Sequence, residues 1–453
     1  MPVCTGLFRR CNMQKKFGGV ILFLVLFSSY IFGQSPRYIF LFIGDGMGNN
    51  QRRVAEEVSM HAGLGKLEMN HFPVVGTTYT ASANNRITDS AAAVTAIACG
   101  VKTNNGMLGV SPDEKPLVSI AADARNAGWK VGIITSVPLN HATPAGFYAH
   151  VVSRKMYDDI AMQMAASGFD FFGGAGVIWK GGGDIYAILA QNGYATAIGL
   201  DALRRLAKTP AVAVEHVGDG QMSPRYAHNN AAYKSTADVM TLADLTANAV
   251  RLLDNPVGFF IMVEGGAIDW ACHDNDLPDC IWETIAMNDA VRVAMDFARK
   301  HPNETLIITT ADHETGGLTV QWPIDVQKIM KLKSPSEIQK ILLDCAKQKT
   351  GENLFAMLDE KFGLKNLSDD DKAVIQKFWD SGQIAGKHGV ALEVLRLTYA
   401  NVGISWTTGA HTGKPVTTTA VGPTAEKLFG GEYQNTHIAE AVRSIIKQPA
   451  AVK

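Results

Sequence analysis

Residues Arg37–Asn50 read RYIFLFIGDGMGNN. The apolar run from Tyr38 to Ile43 has no polar alternation, as expected of a strand buried on both faces of a parallel sheet, and it stops at Gly44-Asp45-Gly46-Met47-Gly48. Such a strand delivers a carboxylate, Asp45, at its C-terminal end. The construction recurs twice. Gly258 to Val263 runs into Glu264-Gly265-Gly266, and Thr305 to Thr310 runs into Ala311-Asp312-His313-Glu314-Thr315-Gly316-Gly317. In open α/β sheets ligands sit beyond the carboxyl ends of the strands, so three strands of this kind bring Asp45, Glu264, Asp312 and His313 to one place. A single strand-end acid is ordinarily structural; three, each followed by glycines, argue for a shared site.

Between Arg86 and Gly100 the chain reads RITDSAAAVTAIACG, with Ser90 where an extended segment turns into an alanine-rich helix. A helix start offers unpaired N–H groups and partial positive charge to a phosphate or a developing alkoxide, which makes Ser90 a candidate nucleophile. The same residues would also serve as an ordinary Ser/Asp cap. In Ala267-Ile268-Asp269-Trp270-Ala271-Cys272-His273, Asp269 and His273 are four apart and share one face of a helical turn, a spacing that suits a divalent metal. Thr408-Gly409-Ala410-His411-Thr412-Gly413 presents a histidine in a glycine-flanked loop. A solvated surface histidine is the plain alternative there, and the case for His411 comes from its company.

Taken in chain order, the acid after the first strand, TDSA at 88–91, HATP at 141–144, VVSR at 151–154, VEGG-x-ID-x3-H at 263–273, ADHETGG at 311–317 and AHTG at 410–413 resemble the alkaline phosphatases. The resemblance spans almost the whole chain after the leader. It implies an α/β fold, a three-layer α/β/α sandwich around a large, mostly parallel central sheet with an inserted helical subdomain. It also implies hydrolysis of phosphate monoesters to alcohol and inorganic phosphate through a phosphoserine on Ser90. Carried over residue by residue, it makes Asp269, His273 and His411 ligands of a first zinc, and Asp45, Asp312 and His313 those of a second zinc facing Ser90. Asp45, Thr143 and Glu264 would build a third site, usually magnesium. Arg154 matches the arginine that holds two phosphate oxygens, a task suited to its planar fork. Asp89, His141 and Trp270 are expected in the substrate pocket or just behind the ligands.

Two positions depart from the best-known bacterial pattern, which has aspartate where this chain has His141 and lysine where it has Trp270. The HATP form resembles the animal enzymes. An imidazole near the third site favours a softer, lower-coordinate metal over octahedral Mg²⁺ and leaves that ion's identity open. Trp270 removes a cation near the phosphate and is expected to weaken product binding. The structural alternatives are His141 as a hydrogen-bonding support and Trp270 as a pocket wall. Sulfatases need a C/S-x-P-x-R pattern, whereas Ser90 is followed by three alanines. Related diesterases and phosphonate hydrolases commonly use threonine and lack the arginine. A non-catalytic member of the fold would be expected to have lost Ser90, Arg154 or a ligand, and none is missing.

Met13-Gln14-Lys15-Lys16, the apolar stretch Phe17 to Phe32, and Gly33-Gln34-Ser35-Pro36 follow the charged, apolar, polar order of a secretory signal. Residues 1–33 are therefore expected to be a cleaved leader, with Met13 a candidate start, and 34–453 a catalytic domain that works in the periplasm or outside the cell. The apolar stretch is short of the ~20 residues that a membrane helix needs, so no stable anchor is expected after cleavage. The 42 basic and 43 acidic residues show neither a basic run nor an aromatic-interleaved basic patch, which argues against a nucleic-acid partner. Small-molecule phosphate monoesters are the expected partners. Family members are often homodimers, although no self-complementary surface is apparent in the sequence.

Of six cysteines, Cys4 and Cys11 fall in the leader. Cys272 and Cys280 flank an acidic loop; an exported protein could pair them, but spacing does not establish a disulfide. Cys99 reads as a buried small hydrophobe, and Cys345 is the fourth cysteine beyond the leader. Leu117 to Ala127 reads as a helix ending at Gly128, followed by a strand from Lys130 to Thr135 that delivers Asn140 to Thr143. Residues of about 326–400, including SEIQKILLDCAKQ and DKAVIQKFWDSG, have helical spacing. They read as a helical insertion at the sheet's edge, either shaping substrate access or a subunit contact, or serving as a plain solvated cap.

Overall fold

The computed structural model of the protein describes residues 35–216, 222, 240–347, 353–386 and 388–447. The expected leader, with Met13, lies outside the described residues. Among the described residues fourteen strands follow in chain order: β1 Tyr38–Gly44, β2 Val74–Tyr79, β3 Lys130–Thr135, β4 Phe171–Gly174, β5 Ala195–Ile198, β6 Ala211–Val214, β7 Phe259–Gly265, β8 Thr305–Ala311, β9 Glu314–Thr315, β10 Thr319–Val320, β11 Ile404–Ser405, β12 His411–Thr412, β13 Val416–Val421 and β14 Gly431–Gln434. Ten of them form one sheet in the order β14-β2-β13-β8-β1-β7-β3-β4-β6-β5. Only β13 runs antiparallel to its neighbours β2 and β8 within this sheet.

β1 is buried at every position because helices cover both faces. Ile39, Leu41 and Ile43 point into a core shared with the helices Ser90–Cys99, Ile120–Asn126, Tyr157–Ala166 and Thr436–Ile446. Tyr38, Phe40 and Phe42 point into the opposite core, with Asn49–His61, Leu242–Leu253 and Leu277–Lys300. The result is the α/β/α sandwich, and the strict alternation of strand side chains explains why an unbroken apolar run was needed. Each fully buried Leu, Ile or Phe contributes roughly 1.5–3 kcal/mol, so the central strands anchor the layers.

The register aligns the strand ends. Gly44 of β1 pairs with Gly265 of β7 and with Ala311 of β8, so Asp45, Glu264 and Asp312 emerge at one level. β3 lies on the other side of β7, with Thr135 opposite Glu264. At the other end of the same strands, Arg37 Nη2 meets Glu304 Oε1 at 3.1 Å. Tyr38 donates to the Asn255 carbonyl at 3.0 Å there.

The helix before β3 is shorter than the sequence suggests, Ile120–Asn126 rather than 117–127. Leu117 N donates to the Gly109 carbonyl at 2.9 Å. Val110 bridges to Pro116. The backbone there is thus committed elsewhere, and Ser119 caps the helix by accepting from Ala122 N at 3.1 Å. Helices Val326–Ile329, Pro335–Lys347, Leu354–Phe362, Asp369–Asp380 and Val390–Ala400 fill most of the 326–400 stretch. The stretch leaves after β10 and returns at β11, and these two strands pair antiparallel, Thr319 with Ser405 and Val320 with Ile404. It touches the Asn49–His61 helix and, through Tyr399, whose hydroxyl accepts from Leu277 N at 3.3 Å, the start of the Leu277–Lys300 helix.

Cys99 is buried, and burial pushes its thiol up to about 12. Cys272 and Cys280 are buried free thiols with their sulfurs 3.5 Å apart. Among the described residues no helix is long and apolar enough to cross a membrane.

Candidate metal centre

Ser90 opens the Ser90–Cys99 helix, all ten residues of which are buried. Its alanines pack closely against the helices Thr436–Ile446 and Ala142–Ala145, while Val94 and Ile97 reach the core shared with β1. Asp89 is the cap: its Oδ1 accepts from Ala92 N and from Gly106 N, both at 3.0 Å. Ser90 is 1% exposed, and its Oγ lies 3.2 Å from His313 Nε2. The second oxygen of Asp89 accepts from Arg154 Nη1 at 3.2 Å, which ties the guanidinium to the start of that helix. Arg154 Nη2 donates to His141 Nε2 at 3.2 Å. His141 precedes the one-turn helix Ala142–Ala145, which carries Thr143. Burial, with the Arg154 charge nearby, holds His141 down to about 3, so its ring is neutral.

The strand-end acids surround His313. Its Nε2 is 3.4 Å from Asp45 Oδ1 and 3.3 Å from Asp312 Oδ2. Asp312 Oδ1 accepts from Gly46 N at 3.1 Å and His313 N at 2.9 Å. Gly46 has φ +70, and a Cβ there would stand 2.7 Å from Asp269 Oδ1, so glycine is required on both counts. Thr143 Oγ1 donates to Asp45 Oδ2 at 3.3 Å, and Thr135 Oγ1 donates to Glu264 Oε2. The remaining oxygens Asp45 Oδ1, Glu264 Oε1 and Asp312 Oδ2 are buried without a hydrogen-bond partner. Burial, reinforced by mutual repulsion, raises Glu264 to about 8 and Asp312 to about 7, and raises Asp45 well above the carboxylate range.

Asp269 and His273 lie on the helix Ala267–His273, with Oδ2 and Nε2 3.3 Å apart. His411 Nε2 is 3.7 Å from Asp269 Oδ1 and 3.1 Å from His273 Nε2. His411 begins the two-residue strand β12, paired with β9, rather than a free loop. His273 Nδ1 faces the Gly409 carbonyl at 2.8 Å and His411 Nδ1 faces the Thr88 carbonyl at 2.9 Å. A carbonyl only accepts, so both Nδ1 atoms carry protons and both Nε2 lone pairs converge beside a carboxylate. Something positive must sit between them. Without metal it is a proton: the hydrogen bond to Asp269 raises His273 to about 9. Burial alone would raise Asp269, but the hydrogen bond from His273 and the neighbouring imidazoles hold it below the carboxylate range.

Among the described residues, three groups therefore have the donor chemistry of a divalent cation site: Asp269, His313 and His411; Asp45, Asp312 and His313; and Asp45, His141 and Glu264. Within each, ligand atoms lie within 4.8 Å of one another. Orphaned buried oxygens and converging Nε2 atoms both fit a bound cation. His313 stands between two groups, His273 meets the first through both Asp269 Oδ2 and His411 Nε2, and His141 joins Asp45 and Glu264 in the third, where Thr143 donates to Asp45. Trp270 is half-buried, its ring edge-on to His141 at 5.6 Å between centroids.

The sequence reading passed over Thr315, Glu314, Gln51 and Thr135. Thr315 Oγ1 lies 2.5 Å from Asp269 Oδ1 and 3.2 Å from His313 Nδ1. Glu314 Oε1 accepts from Gln51 Nε2 at 3.0 Å and Leu318 N at 3.1 Å, and its Oε2 accepts from Thr412 Oγ1, which fastens β9 to β12. Period-two alternation after His313 could have flagged Thr315 as a neighbour on the same face.

The alkaline phosphatase family profile matches residues 36–171 and 216–448. Alkaline phosphatase 4 of Bacillus subtilis is 31% identical over 434 residues, covering 91% of this chain and 89% of its own length. The cold-active alkaline phosphatase of the psychrophile Shewanella sp. superposes with a TM-score of 0.75 at 28% identity, covering 91% of this chain and 100% of that one. A histidine-to-glutamate variant of the alkaline phosphatase from the Antarctic bacterium TAB5, with Mg bound in the M3 site, gives a TM-score of 0.66 at 25% identity over 92% of this chain and 99% of its own.

Proposed function

The chain belongs to the alkaline phosphatases, which are phosphomonoesterases, and from that premise we propose that Ser90 is its nucleophile, working through a phosphoserine with metal ions held by the three groups. The observation that carries this reading is the junction of Ser90 with the metal cluster: Ser90 Oγ lies 3.2 Å from His313, while Asp89, its neighbour, grips Arg154. Zinc would be held by Asp269, His273 and His411, and by Asp45, Asp312 and His313; a third, magnesium-type ion would be held by Asp45, Thr143 and Glu264. When bound, such cations favour a serine alkoxide near neutral pH and stabilise charge on the departing oxygen.

The chain's own groups do the rest. Arg154, with one N–H of each terminal nitrogen committed to Asp89 and His141, keeps its others for two non-bridging phosphate oxygens. Ser90 Oγ forms the bond to phosphorus as the alcohol leaves, and water then cleaves the phosphoserine, so two in-line displacements give net retention. The helix start at Ser90 contributes amide N–H groups and partial positive charge. Magnesium is bound in the M3 site of TAB5 variants that carry glutamate or aspartate in place of a histidine; the third group here keeps the His141 imidazole, which favours a softer ion, while its carboxylates favour magnesium. Metal content of the purified protein decides between them. The charged, apolar, polar order of residues 13–36 supports export and action outside the cytoplasmic membrane.

The test is phenolate release from an aryl phosphate monoester, with the matching diester and sulfate ester alongside and Ser90→Ala as control. Monoester turnover that is lost on chelation and falls by at least about 10³-fold in Ser90→Ala is expected. Preference for the diester or sulfate, or full turnover in Ser90→Ala, would overturn the reading.

A further inference from the structure

We propose that Thr315 is a positioning residue that couples two of the metal groups, its hydroxyl orienting Asp269 in one and setting the ring tautomer of His313 in the other. The inference rests on the reading of these groups as metal sites. Thr315 is fully buried in β9, and its hydroxyl has one hydrogen to give. Asp269 Oδ1, at 2.5 Å, is a carboxylate oxygen and only accepts, so the hydrogen goes there. The oxygen of Thr315 then faces His313 Nδ1 at 3.2 Å with a lone pair, and the ring nitrogen must supply the proton of that bond. His313 is thereby held as the Nδ1–H tautomer. Its Nε2 lone pair faces Ser90 Oγ, Asp45 Oδ1 and Asp312 Oδ2, all within 3.4 Å.

The neighbouring contacts hold the hydroxyl in place. Gly46 O accepts from Thr315 N at 3.1 Å, and Thr315 pairs with His411 across the β9–β12 ladder. The residue thus touches the strand-end loop that carries Asp45, a ligand of the second zinc group, and the strand that carries His411, a ligand of the first. A ligand whose second polar atom is fixed by the protein keeps its orientation before the metal arrives, and loss of such a support typically weakens metal binding by about 10–100-fold.

Thr315→Val removes the hydroxyl at nearly constant shape, and Thr315→Ser restores it. Two measurements are made on the whole protein: the tautomer of His313 by long-range ¹H–¹⁵N correlation in the metal-free state, assigned with His313→Gln, and zinc retention against a competing chelator. Parent and Thr315→Ser are expected to show the Nδ1–H tautomer and to hold zinc within about threefold of each other. Thr315→Val is expected to lose the single tautomer and about 10–100-fold in zinc affinity. A folded Thr315→Val protein that keeps both properties overturns the proposal. So does a Thr315→Ser protein as impaired as the valine variant, because packing would then be the role of the side chain. A parent that binds no zinc defeats the metal reading, and the tautomer measurement then judges Thr315 by itself.

Discussion

At the N-terminal end of β1 and β8, Arg37 and Glu304 meet as opposite charges with side-chain exposures of 31% and 21%, whereas at the C-terminal end of β1, β7 and β8 the acids Asp45, Glu264 and Asp312 are fully buried and face one another. The strands, their partners and their apolar faces are continuous from one end to the other. What differs is the accounting of charge. Water and an opposite partner relieve the first end, while the second concentrates negative charge where desolvation is severe. An isolated fold gains nothing from such an arrangement, so the second end has the character of a cation site.

Substitutions should separate the two ends. After Ser90→Ala, the largest effect is expected from Arg154→Ala, which would remove the proposed two-point grip on phosphate; kcat/KM should fall on the order of 100-fold, with partial recovery in Arg154→Lys, as steady-state kinetics would report. Equal activity in the alanine variant would remove Arg154 from the site.

Next comes the stability of the metal-free protein. Glu264 at about 8, Asp312 at about 7 and His273 at about 9 all bind protons more tightly folded than unfolded. Their contribution is full below their ordinary values and is lost progressively until each folded value is passed. Above pH 7 the loss comes chiefly from Glu264 and His273, so melting temperature in chelator should fall between about pH 7 and 8, beyond which Lys102, depressed by burial to about 8, works in the opposite sense. The depressed histidines His141 and His313 act in the opposite sense, but only below their ordinary value of about 6.5. Glu264→Gln should flatten the decline and stabilise the metal-free protein at pH 9 by about 1–3 kcal/mol, while weakening retention of the third ion. A melting temperature that rises over this range would contradict the charge assignment. Added metal should restore stability most strongly at the alkaline end, because binding must displace these protons.

A smaller change is expected from Trp270→Lys, which places a cation beside His141 and the proposed phosphate site; inhibition by inorganic phosphate should tighten about 3–5-fold. Smallest of all, Arg37→Ala at the opposite strand end should cost at most about 1 kcal/mol in denaturant unfolding and leave turnover unchanged. If it altered activity more than Arg154→Ala, the contrast between the ends would fail.

The sequence carried the parallel strands well because burial on both faces leaves an apolar run that local reading detects, as in Tyr38 to Ile43 and Phe259 to Val263. It also carried Asp269 and His273, whose spacing is a property of one helical turn. The pairing of β9 with β12 was not legible. Two-residue strands have no periodicity, and the partners are separated by the whole helical insertion, so His411 looked like a loop residue. Thr315, Glu314 and Gln51 were missed for a related reason: a threonine or glutamine acquires a role only from what it meets across the fold. His141 was read between two roles, donor and support. Its closeness to both Arg154 and the Asp45–Glu264 pair depends on how the short helix Ala142–Ala145 docks, which spacing does not encode.

The pairing of β10 with β11 has one more consequence. Residues 321–403 depart and return through adjacent strands, so the excursion has a fixed doorway whatever lies beyond it. Returning in register with β10 brings the chain back beside its point of departure, which leaves β12 only a few residues from meeting its partner β9. The excursion is also tied to the body of the fold, packing on the Asn49–His61 helix and reaching Leu277 through Tyr399, so a clasp at its root and a brace along its flank together hold the approach to His411.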